Sequence, residues 1–202
     1  MSIKDISPVL DIEHLSISFK MYDNGLRQRE LTVVSAVHMT IKPGEMVAVV
    51  GSSGSGKSLL AHAILGILPS NALVGGKMSY CGQELTPSYQ ADVRGREIAL
   101  VPQSIAYLNP LNPVGRQVQW LYGTKEKQQK IFKKFDLAEG TADKYPFQLS
   151  GGMARRVLVA TAVMTEAKLI VADEPTPGLN PEMAADTLRL FRHMADEGKA
   201  VL

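Results

Sequence analysis

Gly51-Ser52-Ser53-Gly54-Ser55-Gly56-Lys57-Ser58 fits G-x-x-x-x-G-K-[ST] at every fixed position, the pattern of a loop that wraps phosphate. Its flanks suit that reading. Glu45 to Val50 reads as a short apolar strand and Ser58 to Leu68 as a helix apolar on nearly every face, so the loop joins a buried strand to a buried helix. A helix start gathers unpaired backbone N–H groups and the positive end of the dipole, and glycines let those amides crowd around phosphate oxygens. In that cradle, formed by Gly51, Ser52, Ser53, Gly54, Ser55 and Gly56, Lys57 reaches the β and γ phosphates. The Ser58 hydroxyl goes to Mg²⁺, an ion that keeps most of its shell as water and phosphate oxygen.

Farther along, Leu169-Ile170-Val171-Ala172 is an apolar run too short for a helix and closed by Asp173-Glu174, which suits a buried parallel strand. Two adjacent carboxylates at a strand end repel unless a cation or a proton occupies the site. A division of labour follows: Asp173 holds Mg²⁺, directly or through water, and Glu174 polarises a water for attack on the γ-phosphate. The plain alternative is a solvated acidic strand end, with Pro175 stopping the pairing. Between the two motifs lies Leu149-Ser150-Gly151-Gly152-Met153. Ser150 has N-cap chemistry, and Gly151 and Gly152 leave backbone amides open at a helix start, a second anion site.

These elements, in this order, resemble the ATPase domain of ABC transporters, and the resemblance runs through most of the chain. It implies an α/β fold: a P-loop NTPase core with a mainly parallel sheet, an antiparallel β subdomain and an inserted helical subdomain. It implies that ATP lies between two cassettes, the phosphate loop of one facing Ser150, Gly151 and Gly152 of the other. Ala99 to Gln103 then looks like a strand leading to the Q-loop, whose glutamine, Gln103, senses Mg²⁺ and the attacking water. An aromatic at the end of the first strand would stack on adenine; Phe19 is the candidate, Tyr22 the second, with core packing the equal alternative for Phe19. Thr176 to Pro181 sits where the family has its D-loop, with Asn180 in place of the usual aspartate. Asn180 as N-cap and Pro181 at N1 also make a good helix start. Arg155 and Arg156 read as solvated or interface charge.

The chain has 202 residues, 45% of them hydrophobic, and a net charge of +2, enough for one domain with a sizeable core. Acids and bases are interspersed, which gives no nucleic-acid surface, and Lys125 to Lys134 reads as the wet face of a helix. A single cysteine, Cys81, excludes an internal disulfide or a cysteine-based metal site. The four histidines show no metal spacing. No stretch approaches the ~20 apolar residues that span a bilayer, and residues 1–15 lack a signal-peptide core. The expected place is the cytoplasmic face of a membrane, held by partners.

Val9 to Lys20 and Leu31 to Ile41 alternate as paired antiparallel strands around a polar turn at Tyr22-Asp23-Asn24-Gly25, with further strands at Gly75 to Tyr80 and Glu97 to Val101. We divide the single ABC ATPase domain into a β subdomain with the phosphate loop (1–103), a helical subdomain (104–150), and the signature helix with the acidic strand (151–202). Helices are expected over Gly115 to Tyr122 and Lys125 to Phe135. Leu108-Asn109-Pro110 and Tyr145-Pro146-Phe147-Gln148 resemble the oligopeptide, dipeptide and nickel importer branch. That implies a second ATPase subunit, transmembrane permease subunits and, indirectly, an extracytoplasmic solute-binding protein.

Pro181 to Glu197 reads as a helix with Met183, Thr187, Leu190, Phe191 and Met194 near one face, and Lys199 to Leu202 starts a strand. In the family the next residues carry a switch histidine, so a fragment or a truncated product is expected, incomplete at the C-terminus. Two alternatives to an importer subunit stay open: a soluble cassette acting as a nucleotide-gated clamp, and a hydrolysis-deficient regulatory cassette.

Overall fold

The computed structural model describes residues 7–23, 27–119 and 123–202. β1 (Leu10–Asp23) and β2 (Arg27–Ile41) run antiparallel, from Leu10↔Ile41 to Asp23↔Arg27. Residues 24–26 of the expected turn, the Tyr22 side chain and residues 120–122 of the expected third-helix region lie outside the described residues. Alternation along β1 changes phase once: Leu10 and Ile12 are buried, then Leu15 and Ile17. A bulge between them, with His14 at φ 52°, inserts the odd residue and returns the apolar side chains to the same face. β3 (Ala72–Tyr80) and the two-residue β4 (Gln83–Glu84) complete an antiparallel sheet ordered β2-β1-β3-β4.

A second, parallel sheet is ordered β5 (Ile98–Val101), β6 (Leu169–Ala172), β7 (Ala200–Val201). Both its faces are covered, and the strand side chains divide accordingly. Leu169 and Val171 of β6 face a core built with α1 (Lys57–Leu65) and the antiparallel sheet. Ile170, between them, enters the other core, shared with α3 (Val114–Gln119), α4 (Lys125–Lys134), α5 (Gly151–Met164) and α6 (Pro181–Asp196). Each fully buried Leu, Ile or Val contributes roughly 1.5–3 kcal/mol, so β6 is fastened from both sides.

The apolar run before the phosphate loop departs from expectation. Met46 alone bridges to Val201, supported by Val47 N donating to Val201 O at 2.9 Å. Residues 48–50 continue without a ladder partner, with Val50 93% exposed. α1 is also shorter than expected, because Gly66 turns left-handed at φ 65° and returns its N–H to Ala63 O at 3.2 Å. The end of α1 is held by α2 (Pro87–Val93) and the residue after it: Gln90 Nε2 donates to Ala63 O at 2.7 Å, and Arg94 Nη1 to Leu65 O at 2.8 Å.

Candidate functional site

The phosphate loop leads into α1 through Gly56 at φ 91°, where a Cβ would run into the Val34 side chain; only glycine fits both demands. Lys57, the first residue of α1, bends back over the loop. Its Nζ donates to Gly51 O at 3.1 Å and Ser52 O at 3.0 Å and lies 3.2 Å from Glu174 Oε1. Ser58 donates its hydroxyl to Asp173 Oδ1 at 2.8 Å across 115 positions of sequence. The loop and the acidic strand end thus meet directly.

Asp173 is set by the sheet, its N–H donating to Val101 O at 3.0 Å. Glu174 then leaves the strand at φ 44°, a left-handed conformation that costs a residue with a Cβ roughly 1–2 kcal/mol. The turn separates the two carboxylates in function: Asp173 takes Ser58, while Glu174 takes Lys57 and, through Oε2, the side-chain amide of Gln103 at 2.9 Å. Gln103 follows β5, one strand over. Four of the expected residues, Lys57, Ser58, Asp173 and Glu174, are therefore linked in pairs, and Gln103 joins them.

Beside this cluster is a cavity of about 500 Å³. Gly51, Ser53, Lys57, Asp173 and Glu174 form its polar part, and Leu188 and Phe191 of α6 are among its apolar walls. Its size suits a small-molecule site. Ser58 and Asp173 present hydroxyl and carboxylate oxygens at hydrogen-bond distance, a hard-donor pair suited to Mg²⁺ sharing phosphate oxygens.

Of the expected site residues, only Gly51, Ser53, Lys57, Asp173 and Glu174 line the cavity; Ser58 and Gln103 join through the bonds above, and two further groups stand elsewhere. Phe19 is partly buried against the antiparallel-sheet core and is not among the cavity's lining residues. Ser150 caps α5, its Oγ accepting from Met153 N at 3.3 Å, and it is exposed together with Gly151. Gly152 is buried, and a Cβ there would collide with Met183 Cε of α6. None of these three lines the cavity. Asn180 caps α6, accepting from Met183 N at 2.8 Å.

One of the two arginines of α5 corrects the sequence reading. Arg155 is only 6% exposed, and it donates to Pro102 O at 3.0 Å and Gln103 O at 2.7 Å. Arg156 donates to Asp136 O at 3.0 Å. Arg156 keeps the expected surface character, its partly exposed side chain pairing with exposed Asp136 at 3.5 Å. Arg155 is not surface charge, because α5 is enclosed on most sides, with Val157, Leu158, Val159 and Ala160 all buried. That continuous apolar run was the signal available for an enclosed arginine. Nothing in the sequence pointed to the carbonyls it meets.

The sequence pattern of the ABC transporter family matches residues 34–177. The chain belongs to the ABC transporter family. This ABC chain is 34% identical over 208 residues to a Brucella abortus (strain 2308) protein named for peptide import and ATP binding, covering 95% of this chain and 61% of that protein. It is 34% identical to DdpD of Escherichia coli (strain K12), named for D,D-dipeptide transport, covering 96% and 63%. It is 31% identical to OppD of Bacillus subtilis (strain 168), an oligopeptide transport ATP-binding protein, covering 94% and 56%. The chain thus spans about three fifths of the length of the curated relatives it matches. Among solved structures, a dimeric bacterial ABC transporter cassette superposes with a TM-score of 0.80 at 25% identity, over 95% of this chain and 85% of that one. A cassette dimer bound to ADP and Pi gives 0.78 at 24%, with the same coverage. The fold is that of the ABC ATPase.

Proposed function

We propose that this chain is the ATP-binding subunit of an ABC importer of the peptide class, hydrolysing ATP with partner membrane subunits. The observation that carries the reading is the joining of the phosphate loop to the acidic strand end: Ser58 to Asp173 at 2.8 Å and Lys57 to Glu174 at 3.2 Å. Phosphoryl transfer to water needs mainly positioning and charge stabilisation. Lys57 and the loop amides hold the β and γ phosphates. Ser58 and Asp173 would hold Mg²⁺, with Gln103 the third proposed contact, and the ion would supply charge neutralisation to the phosphate oxygens. Glu174 accepts a hydrogen bond from the attacking water, and Gln103 orients that carboxylate. Phe19 remains the proposed adenine neighbour.

Ser150, Gly151 and Gly152 act in trans. An exposed N-cap serine and an exposed glycine at a helix start favour an anion, and these residues stand away from their own chain's cavity. A second cassette would bring its nucleotide to them. No described helix is long and apolar enough to cross a membrane, so we place transport itself in permease subunits, with the chain on the cytoplasmic face and a solute-binding protein acting indirectly. The names of the relatives favour peptides as cargo; nickel has no such support among them.

The test is titration of a fluorescent ATP analogue with Mg²⁺ into the parent and Lys57→Ala chains, paired with phosphate-release assays. Binding and turnover in the parent, with binding weakened at least about tenfold by Lys57→Ala, are expected, since a charge-assisted phosphate contact is worth about 1.5–3 kcal/mol. Equal binding by both chains sinks the assignment of the cradle.

A further inference from the structure

Arg155 is a buried cation whose bonds among the described residues all go to neutral carbonyl oxygens. Nη1 donates to Pro102 O and Nη2 to Gln103 O, and Nε has no partner. Asp186 lines the same small crevice over α5 and α6, yet its carboxylate bonds Arg189 at 2.6 Å. Burial draws the Arg155 pKa down from its ordinary value, but a guanidinium stays charged in proteins. Enclosing a cation without a counterion is unfavourable. A methionine or leucine would fill such a core position without that cost, so what the guanidinium uniquely provides is its planar fork. The fork meets two consecutive carbonyls at once and so fixes both the position and the rotation of that backbone.

The backbone it fixes is the one that aims Gln103, whose side-chain amide donates to Glu174 Oε2 at 2.9 Å. Arg155 itself sits five residues after Ser150, about 7.5 Å along the axis of the same helix, whose cap and first residue, Ser150 and Gly151, are exposed.

We propose that Arg155 is a positioning residue that ties the start of α5 to the Gln103–Glu174 pair, so that whatever docks on the Ser150-Gly151 face is felt at the carboxylate of this chain's own site. The activity side of this proposal rests on the ATPase reading above; the tie itself does not. In a pair of cassettes, Ser150 would serve the partner's nucleotide and Glu174 its own. Arg155 would then be a physical link between the two nucleotide sites.

The experiment compares the parent with Arg155→Met, Arg155→Lys, Gln103→Ala and the Arg155→Met/Gln103→Ala double variant. The first readout is amide hydrogen exchange without nucleotide. Arg155→Met is expected to speed exchange across residues 103–107 about tenfold while β6 stays protected, with Arg155→Lys in between. Unchanged exchange in Arg155→Met overturns the tie, whatever the turnover. The second readout is steady-state ATP hydrolysis. Arg155→Met is expected to lower kcat about tenfold to a hundredfold with KM within about twofold, and to have little further effect once Gln103 is alanine. Fully multiplicative losses, or a loss confined to KM, overturn the link through Gln103. A parent that does not hydrolyse ATP refutes the ATPase reading instead, and exchange alone then decides the tie. Arg155→Lys keeps the comparison decisive if Arg155→Met does not fold.

Discussion

Lys57 Nζ and Glu174 Oε1 lie 3.2 Å apart, joining the first residue of α1 to the residue after Asp173 at the end of β6. The pair is partly exposed, 19% and 31% at the side chains, and such pairs add at most about 1 kcal/mol to stability. Its significance is chemical: under the proposed function, the ammonium assigned to phosphate and the carboxylate assigned to water already meet in one ion pair. On that proposal, phosphate and carboxylate compete for the same lysine.

Glu174→Gln keeps the shape of the side chain and removes its charge. The variant is expected to bind ATP as tightly as the parent or more tightly, since Lys57 loses a competing anion. Turnover should fall by about 10²–10⁴-fold, the usual worth of a positioned base. Single-turnover phosphate release alongside equilibrium binding checks both halves, and undiminished turnover removes Glu174 from its role.

Gly152→Ala drives a methyl group into Met183 Cε. The methyl meets only the tip of a flexible side chain, which can swing aside, so the cost is expected to stay below about 1 kcal/mol. Urea unfolding should show a loss no larger than that, and Met183→Ala in the same chain should recover part of it. The two losses are expected to be non-additive, since the residues are in contact; simple addition means the collision is absorbed elsewhere.

Asn180 works as the cap of α6. Asn180→Ala is expected to lower stability by about 1 kcal/mol, while Asn180→Asp holds it within about 0.5 kcal/mol, because aspartate caps as well and favours the helix dipole. Denaturant midpoints of the three chains decide this. Equal losses in both variants would assign the asparagine side chain some other role.

Acid should expose one tie between the ends of α4 and α6. The Glu197 carboxyl is held below its ordinary value chiefly by the hydrogen bond from Lys134, 2.8 Å away. A depressed carboxyl pKa stabilises the fold above the unfolded value near 4.5, and the contribution is lost as pH falls through the lower folded value. The parent should therefore lose more stability than Lys134→Met between pH 7 and pH 3. Parallel pH profiles of the two unfolding midpoints would contradict the sign.

The legible parts of the molecule were those where local chemistry and fold demand the same residues. The helix starts at Ser150 and Asn180 were readable because a cap is a local event. β6 was readable because four apolar residues closed by acids fit little besides a buried strand. What escaped was set by distant partners. Residues 48–50 have strand composition, yet whether this segment pairs depends on a partner as distant in sequence as Val201, which Met46 meets in a single bridge. Arg155 looked like surface charge because a side chain's destination is decided by packing between elements. Of the site, the motif residues were legible and their cross-links were not; the bond from Gln103 to Glu174 spans 71 positions.

If Glu174 has the role proposed for it, its left-handed backbone makes folding and competence come apart at one position. Glycine would relieve the strain there at a modest entropic cost in the unfolded chain, and the ion pair with Lys57 that it would give up is a partly exposed one. A thermal-shift survey across the chain would pass Glu174→Gly as harmless. Heat resistance, by itself, is thus a poor proxy for a working copy of this cassette.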